Sequence, residues 1–371
     1  MKVTTYYPGD VEIPRGTPIR ANSLNRALTI AGADVTNVTA GPQESLNKSD
    51  SFILNHNSSV IRRAWKLSEI VRQKESDVII GFTHMALTTG FLASKMTGRP
   101  FYLDLHGDLN TELIESGQNS KFMQWRIRII ERLLIPRVTG IMVVSEALKV
   151  HYKGARYIKV LHGGADVKKF HPEVPPEKKI ETWKKQAGIT NLVGYVGNLR
   201  PYQGVEGLLK AMEVIWTKTD SVGFLIVGNG PIEDQCLTLA KRSGKLLVLD
   251  TIPHDAVSSH LSACDVLVVP RPSTPTTRLG FPSKLPEYLA MGKPVVATDV
   301  ADSAVMVKHR ETGLLVPPNH QESLCQAILY LNDERKRRTI GQNARAFITK
   351  SHTWNNRASE LISWIKTINQ D

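Results

Sequence analysis

The repeated alternation of short β-branched runs with longer amphipathic stretches is the feature that most restricts the fold. The runs are Asp77–Gly81, Pro100–Asp104, Gly140–Val144, Val193–Gly197, Gly223–Gly228, Asp265–Val269 and Lys293–Ala297. Apolar strands that alternate with helices are typical of parallel sheets covered by helices on both faces. The chain has 371 residues, which suits two such units at ~150 residues each. The sequence therefore predicts two doubly wound α/β domains.

Two segments predict where the domains begin and end. Proline and charged residues cluster at Phe170–Lys179, as expected of a linker. Near the C-terminus, helical spacing relates the apolar residues Leu361, Ile362, Trp364, Ile365 and Ile368. This spacing predicts an amphipathic helix packed on a domain face. We place the first domain at residues 1–168 together with the helix 353–371, and the second domain at residues 169–352.

Composition limits the setting and the partners. Hydrophobic residues make up 41% of the chain and charged residues 22%, which excludes disorder as the main state. Lysine and arginine number 47 against 35 acidic residues, so the net charge is +12 and predicts a negative partner: phosphate, nucleic acid or an anionic membrane. Three cysteines without a Cys-x-x-Cys pair argue against a disulfide framework or a cysteine zinc site. Without a signal-peptide pattern or an apolar run of ~18 residues, we expect a cytoplasmic protein, soluble or peripherally attached.

Three glycine-containing turns follow predicted strands. Val196–Glu206 opens a helix, so its backbone amides suit either an anion site or an ordinary strand–helix connection. Leu225–Pro231 suits a structural turn and a ligand contact equally. The third turn runs from Val269–Pro272 to Gly280–Ala297 and opens a short helix, for which Ser283 is the expected N-cap. There Lys284 can neutralise a phosphate, and Glu287 can accept hydrogen bonds from ribose hydroxyl groups.

These motifs, in this order, resemble the retaining, nucleotide-sugar-dependent glycosyltransferases of family 4, also called group 1. Lys284–Ala297 resembles the family's K-x-x-E-x-x-A-x-G-x-P-V-V signature. Further matches are Val144–Leu148, Leu161–Asp166 with Phe170–Pro172, Val227–Pro231 and Glu311–Val316. The resemblance implies the GT-B fold, in which two Rossmann-like domains face each other across a cleft and the final helix returns to the N-terminal domain. It also implies a hexosyltransferase that uses a nucleoside-diphosphate sugar and needs neither a metal nor another cofactor.

The resemblance also implies site residues. In the first domain, the loop Arg15–Asn22 would bring Gly16 and Thr17 to the donor diphosphate, and Tyr102–Asp108 would bring His106 to the transferred sugar. His106, Lys284 and Arg271 would be catalytic, because electrostatic stabilisation of the departing diphosphate is the largest available effect. The donor-binding residues would be Gly16, Thr17, Asn198, Arg200, Gln203, Gly228, Gly280, Phe281, Pro282, Ser283 and Glu287. Asp104 and Asp108 are interpreted as strand-end residues, so no metal site is predicted.

Three positions depart from the family pattern and leave alternatives open. Family members often carry arginine and lysine where this chain has Asn198 and Gln203, and an acid where it has Leu279. Arg200, Arg271 or Lys284 can supply the missing positive charge, whereas recognition of the sugar hydroxyls stays open. The alternatives are a catalytically silent subunit that binds nucleotide or glycan, and a sugar-nucleotide epimerase or hydrolase of the same fold.

Much of the surplus positive charge falls in the first domain. One predicted helix carries Arg62 and Arg63, and Lys121–Leu134 carries Trp125, Arg126 and Arg128 among apolar residues. This pattern suits either the surface of an anionic bilayer or the solvated face of an ordinary helix. We therefore expect a cell-envelope glycan, lipid-linked or glycolipid acceptor and peripheral attachment to the inner face of the cell membrane. Nucleic acid is not an expected partner, since no recognised binding module is evident.

Overall fold

The computed structural model describes residues 1–10, 16–40, 51–115, 117 and 120–370. The chain divides into two compact units. The first unit comprises Met1–Gly163, Leu279–Phe281 and Trp354–Asp371, and the second comprises Gly164–Arg278 and Pro282–Thr353. Arg15, which the sequence analysis assigned to the first glycine-rich loop, lies outside the described residues.

The first unit contains a seven-stranded parallel sheet with the order β3-β2-β1-β4-β5-β6-β7. Its strands are β1 Lys2–Tyr7, β2 Asp34–Thr39, β3 Ser51–Ile53, β4 Val78–Phe82, β5 Phe101–Leu105, β6 Gly140–Val143 and β7 Ile158–Val160. Its first helices are α1 Gly16–Ile30, α2 Val60–Gln73, α3 His84–Thr97, α4 Leu109–Glu115, α5 Lys121–Leu134 and α6 Glu146–His151. The order in which successive strands are added to the sheet reverses between β1 and β4. Doubly wound folds bind their ligands at such a point.

Strand side chains alternate between two apolar layers, one on each face of this sheet. Val78 and Ile80 belong to one buried cluster, and the intervening Ile79 belongs to the other. Both faces are therefore covered, as the continuous apolar runs predicted. Local signals start the helices: Ser59 caps α2 and Ser120 caps α5, each by accepting a backbone N–H bond at 3.3 Å.

The second unit contains a six-stranded parallel sheet with the order β10-β9-β8-β11-β12-β13. Its strands are β8 Asn191–Val196, β9 Val222–Val227, β10 Leu246–Leu249, β11 Val266–Val269, β12 Val295–Thr298 and β13 Gly313–Val316. Its helices are α7 Lys178–Gln186, α8 Val205–Trp216, α9 Glu233–Ser243, α10 Val257–Ser262, α11 Pro275–Leu279, α12 Lys284–Ala290, α13 Ser303–Met306, α14 Gln321–Tyr330 and α15 Glu334–Ser351. The last residue of α11, Leu279, groups with the first unit. In this sheet the strand order reverses between β8 and β11, which are parallel neighbours. The two parallel doubly wound sheets confirm the predicted fold class.

The final helix, α16 Trp354–Ile368, packs in the first unit, as predicted. Its buried residues Leu361 and Ile365 join the cluster that also contains α1. Trp364 meets the Tyr102 ring edge-on at 5.6 Å, and the Tyr102 hydroxyl donates to Asn369 Oδ1 at 2.7 Å. The last helix thus completes one layer of the N-terminal core.

All three cysteines, Cys236, Cys264 and Cys325, are buried with free thiols. Burial raises the pKa of the Cys236 thiol to about 11 and that of Cys264 to about 12. These side chains therefore act as small apolar core residues.

Candidate functional site

In the second unit, Lys284 occupies the start of α12 and reaches back to the turn after β8. Its Nζ donates to the Tyr195 hydroxyl at 3.0 Å and to Gln203 Oε1 at 3.1 Å. The ammonium also lies 4.1 Å from the centre of the Tyr195 ring, a cation–π distance. Gln203, the departure from the family's lysine, therefore holds Lys284 in place rather than adding a charge of its own.

A second buried cation lies close enough to Lys284 to affect its titration. Arg271 follows β11 and is 7% exposed. Burial is the largest cause that lowers the pKa of Lys284 to about 7; the charge of Arg271 lowers it further, and that of Glu287 opposes both. The Thr298 hydroxyl donates to the Arg271 carbonyl at 2.6 Å and fixes the backbone there. The structure thus brings two cationic side chains to the carboxyl ends of β8 and β11, the point where the strand order of the sheet reverses.

The turns after β8 and β9 need glycine because the two backbones touch. Gly228 has φ 133°, and a Cβ built on it would lie 2.1 Å from the Gly197 carbonyl oxygen. Gly197 has φ 152°, and a Cβ there would lie 2.4 Å from Lys284 Nζ. Gly228 therefore lets the two turns touch, and Gly197 leaves the space in which the end of the Lys284 side chain lies.

Asn198 and Arg200 differ from Gln203 in that both are exposed. The Asn198 carbonyl accepts a 2.7 Å hydrogen bond from Tyr195, and its side-chain oxygen accepts one from the Arg200 backbone at 3.4 Å. The turn is thus shaped by Asn198, while the Arg200 side chain lies at its surface.

Glu287, the predicted ribose-binding residue, is held by a chain of polar groups that sequence reasoning missed. His254 Nε2 lies 3.1 Å from Glu287 Oε1, and His254 Nδ1 lies 2.8 Å from Lys169 Nζ. Because a lysine ammonium only donates, His254 accepts at Nδ1 and donates from Nε2 to Glu287. Lys169 also pairs with Asp255 at 2.7 Å. No spacing rule links positions 169, 254 and 287, so the sequence carried no signal for this network.

The loop Gly280–Ser283 divides between the two units. Gly280 and Phe281 group with the first unit, where Phe281 meets the His162 ring at 5.2 Å. Pro282 is buried, Ser283 is exposed, and both group with the second unit. The expectation that Ser283 caps α12 is wrong for the described residues: its backbone is helical, with φ −57° and ψ −27°, and its side chain makes no capping hydrogen bond. An N-cap needs extended backbone to turn its oxygen toward the free amides.

In the first unit, His106 follows β5 and is held by two side chains. Its Nε2 lies 2.8 Å from Asp104 Oδ2, and its Nδ1 lies 3.2 Å from the Thr17 hydroxyl, one residue after Gly16 at the start of α1. Burial lowers the pKa of His106 against the opposing effect of Asp104. The lowered pKa favours the neutral form of His106, in which Nε2–H donates to Asp104 and Nδ1 accepts from Thr17.

Asp104 is charged, although it is fully buried, because Arg20 binds it with two hydrogen bonds of 2.8 and 2.9 Å. Burial alone would raise the pKa of Asp104, but Arg20 and His106 bring it well below its usual value. Arg20 also donates to the Leu161 carbonyl at 2.9 Å. The expectation of a loop over Arg15–Asn22 is wrong for the described residues, because Arg20 lies on α1, and only the fold reveals its partner, 84 residues away.

Asp108 accepts backbone N–H bonds from Asn110 and Thr111 at 3.4 and 3.1 Å, which places it at the start of α4. In the part of the chain that the structure describes, no group of three or more His, Cys, Asp or Glu side chains is arranged to hold a metal ion.

The outward face of α5 is apolar and cationic, and none of its residues is buried. Phe122, Trp125, Ile129 and Leu133 form a stripe at helical spacing and are 66, 57, 36 and 51% exposed. The exposed arginines Arg126, Arg128 and Arg132 flank it. Arg62 is exposed on α2, whereas Arg63 is half-buried and donates to the His56 carbonyl at 2.9 Å. Within the described residues, no helix is both long and apolar enough to cross a membrane.

Two family models match the chain. The model described as Glycosyltransferase Family 4 matches residues 14–169, and the model described as Glycosyl transferases group 1 matches residues 190–334. An uncharacterized glycosyltransferase of Methanocaldococcus jannaschii is 24% identical over 98% of this chain and 97% of its own length. The N,N'-diacetylbacillosaminyl-diphospho-undecaprenol alpha-1,3-N-acetylgalactosaminyltransferase of Campylobacter jejuni is 22% identical over 77% of this chain and 76% of its own length.

Among solved structures, HepE of Anabaena in complex with UDP superimposes with a TM-score of 0.77 at 20% identity, covering 99% of this chain and 100% of that one. This likeness establishes the GT-B fold that the motifs implied. The chain therefore carries a Glycosyltransferase Family 4 domain followed by a Glycosyl transferases group 1 domain, and the protein is a glycosyltransferase.

Proposed function

We propose that this glycosyltransferase moves a hexose from a nucleoside-diphosphate sugar to a cell-envelope glycan, lipid-linked or glycolipid acceptor, with retention of anomeric configuration. The observation that carries the proposal is the proximity of two cationic side chains, Lys284 and Arg271. The hydrogen bonds of Lys284 go to two neutral oxygens, and a second cation nearby lowers its pKa. A bound diphosphate would add negative charge beside these two cations, where Glu287 is the nearby acid that already opposes their effect on each other.

The donor nucleotide would bind through the same unit. Glu287 would accept hydrogen bonds from ribose hydroxyls. His254 Nε2 lies against Oε1 of Glu287, which leaves Oε2 of the same carboxylate for the ribose. The touching turns at Gly197 and Gly228 allow the backbone to approach the donor closely. UDP bound to the structurally similar HepE supports a nucleoside diphosphate as the product.

Transfer would depend on charge stabilisation. Breaking the anomeric C–O bond places negative charge on the diphosphate, which Lys284 and Arg271 neutralise. The acceptor hydroxyl then attacks from the face that the diphosphate leaves, and a diphosphate oxygen takes its proton. This geometry retains the anomeric configuration and assigns no step to a metal ion. In the first unit, neutral His106 is held by Asp104 and contacts the sugar.

A panel of nucleotide sugars, with UDP-sugars first, tests the proposal by nucleoside-diphosphate release. We expect release with at least one donor, unchanged by EDTA, and an NMR coupling constant of the product that shows retention. Release abolished by EDTA and restored by Mg²⁺ would contradict the metal-free step. Absence of release with every donor and acceptor would contradict transfer and favour a nucleotide-binding subunit.

The apolar stripe on α5 supports attachment to an anionic membrane. The cations beside the stripe can contact lipid phosphates, while the single acid of the helix, Glu131, faces inward and is 12% exposed. Each cation near such a surface contributes about 1 kcal/mol at low salt. The similarity to a transferase named for an undecaprenol-linked substrate supports the same location for the acceptor. On this proposal, the enzyme works at the inner face of the cell membrane.

Co-sedimentation with phosphatidylglycerol and phosphatidylcholine vesicles tests this attachment. We expect binding to the anionic vesicles that weakens with salt, and its loss in the double variants Phe122→Ser/Trp125→Ser and Arg126→Gln/Arg128→Gln. Arg335→Gln/Arg338→Gln, on the exposed face of α15, removes the same charge from the second unit and serves as the control. Equal binding to both vesicle types, or equal loss in the control, would contradict the proposal.

A further inference from the structure

A buried histidine that the proposed mechanism does not use connects three elements of the first unit. His84 is the first residue of α3, directly after β4. Its Nδ1 lies 2.8 Å from Glu131 Oε1 on α5, and its Nε2 lies 2.9 Å from the Gly107 carbonyl oxygen in the loop after β5. The Tyr152 hydroxyl donates to the same Glu131 oxygen at 3.2 Å. His84 therefore bridges α5 and the residue that follows His106.

The geometry favours a protonated His84, although Nδ1 meets Glu131 at an ion-pair distance without a well-aligned hydrogen bond. A carboxylate oxygen and a carbonyl oxygen are both acceptors, so each ring nitrogen that faces one needs a proton. A neutral imidazole has only one N–H and would turn a lone pair toward one of these oxygens. Glu131 Oε1 already accepts from Tyr152, and its 2.8 Å distance to Nδ1 is that of an ion pair with an imidazolium His84.

The surroundings agree with this charge. Burial opposes protonation, but Glu131 first, then the Gly107 carbonyl and Glu112 of α4, leave the pKa of His84 raised above its usual value. The other titratable groups that face it are Tyr152 and His106, and the His84 charge in turn lowers the pKa of His106. A protonated His84 thus favours the neutral form of its neighbour in the site.

The backbone beside His84 is held in an unusual conformation. Thr83 has φ 70°, a left-handed value that a β-branched residue rarely adopts, and its N–H donates to the Asp104 carbonyl at 2.9 Å. The turn is thus fixed at two points on the segment that carries His106: Asp104 through Thr83, and Gly107 through His84. Strain of this kind persists only where the surrounding contacts enforce it.

We propose that His84 is a positioning residue for sugar transfer: as an imidazolium between Glu131 and the Gly107 carbonyl, it fixes the loop that presents His106. The inference rests on the proposed transferase function. Because Glu131 lies on α5, the same bridge ties the lipid-facing helix to that loop. Protonated His84 is the competent form, so transfer declines as the pH rises through its raised pKa.

Histidine ¹⁵N NMR on the whole wild-type enzyme tests the charge without needing activity. We expect both His84 ring nitrogens to show the imidazolium shift at pH 7, and the His84 pKa to fall in Glu131→Gln. Glu75→Gln removes a carboxylate that pairs with Lys2 at the amino end of β1, whereas His84 follows the carboxyl end of β4, and this variant is the control. A neutral His84 at pH 7, or an equal pKa in Glu131→Gln and wild type, would overturn the inference.

The pH profile of transfer tests the positioning role. We expect His84→Phe to lower kcat about tenfold with little change in the KM of the donor. His84→Gln, which keeps a donor for Gly107, should recover part of that loss and remove the alkaline limb that His84 causes. Glu131→Gln should move this limb to lower pH, because it lowers the His84 pKa. Circular dichroism and thermal melting establish that each variant is folded.

The outcomes separate this inference from the function on which it rests. An active wild type whose kcat and pH profile are the same in His84→Phe, His84→Gln and Glu75→Gln would overturn the positioning role alone. A wild type that shows the imidazolium but releases no nucleoside diphosphate with any donor would contradict the transferase function and, with it, the role in transfer.

Discussion

The two sheets have the same order for their first six strands, and the first unit adds a seventh, but the two units arrange their charges differently. In the second unit, Lys284 and Arg271 bring positive charge together, and the hydrogen bonds of Lys284 go to neutral groups. In the first unit, Arg20 is matched by Asp104, and His106 is neutral beside them. Two neighbouring cations favour contact with an anionic group, whereas the Arg20–Asp104 ion pair satisfies its own charges. This difference supports the proposal that Lys284 and Arg271 hold the diphosphate and that His106 contacts the transferred sugar.

Removal of the Lys284 charge in the second unit should give the largest effect on transfer. Lys284→Met keeps the apolar stem and deletes the charge that neutralises the departing diphosphate. We expect kcat for transfer to fall on the order of 10²–10³-fold, the effect of deleting one main oxyanion-stabilising group. Nucleoside-diphosphate release measures it, with Arg335→Gln as the control. A loss below threefold would show that the charge imbalance is not used in catalysis.

Paired variants should separate the roles of the two units. Glu287→Ala removes the ribose acceptor, so we expect donor affinity to fall about tenfold, as for loss of hydrogen bonds to a charged group. His106→Ala should leave the affinity for the nucleoside diphosphate unchanged while lowering transfer, since its expected contact is the transferred sugar. Calorimetric titration with the nucleoside diphosphate and steady-state kinetics measure the two quantities. Equal donor affinity in Glu287→Ala and wild type would refute the ribose assignment, and weakened affinity in His106→Ala would contradict the division between units.

The pH dependence of nucleotide binding should show the smallest effect, a few-fold change. The pKa of Lys284 lies near 7 before binding, and a bound diphosphate raises it. Affinity should therefore be constant below pH 7 and weaken as the pH rises above it, with proton uptake on binding. Calorimetry in buffers of different ionisation enthalpy detects that uptake, and Lys284→Met should abolish it. Proton release, or affinity that rises above pH 7, would contradict the expected sign.

Local patterns were sufficient to predict most of the fold. Every apolar run singled out in the sequence lies on a strand of one of the sheets, within two residues of the observed bounds. The final helix, expected over residues 353–371, spans Trp354–Ile368, so its start is within one residue and its end within three of the expected bounds. These elements are readable because β-branched runs and helical periodicity act between neighbours in the chain. Ser283 shows the limit, since its capping role depended on a backbone conformation that tertiary packing decided.

The sequence by itself determined the two doubly wound domains, the glycine turns and the surplus of positive charge, since these follow from residue type and short spacing. Only the tertiary structure decided what those charges do. The contacts Lys284–Gln203, Arg20–Asp104, His254–Glu287 and His84–Glu131 each join residues far apart in the chain. Burial and such contacts set protonation, so the chemistry of the site emerges where separate strands end side by side.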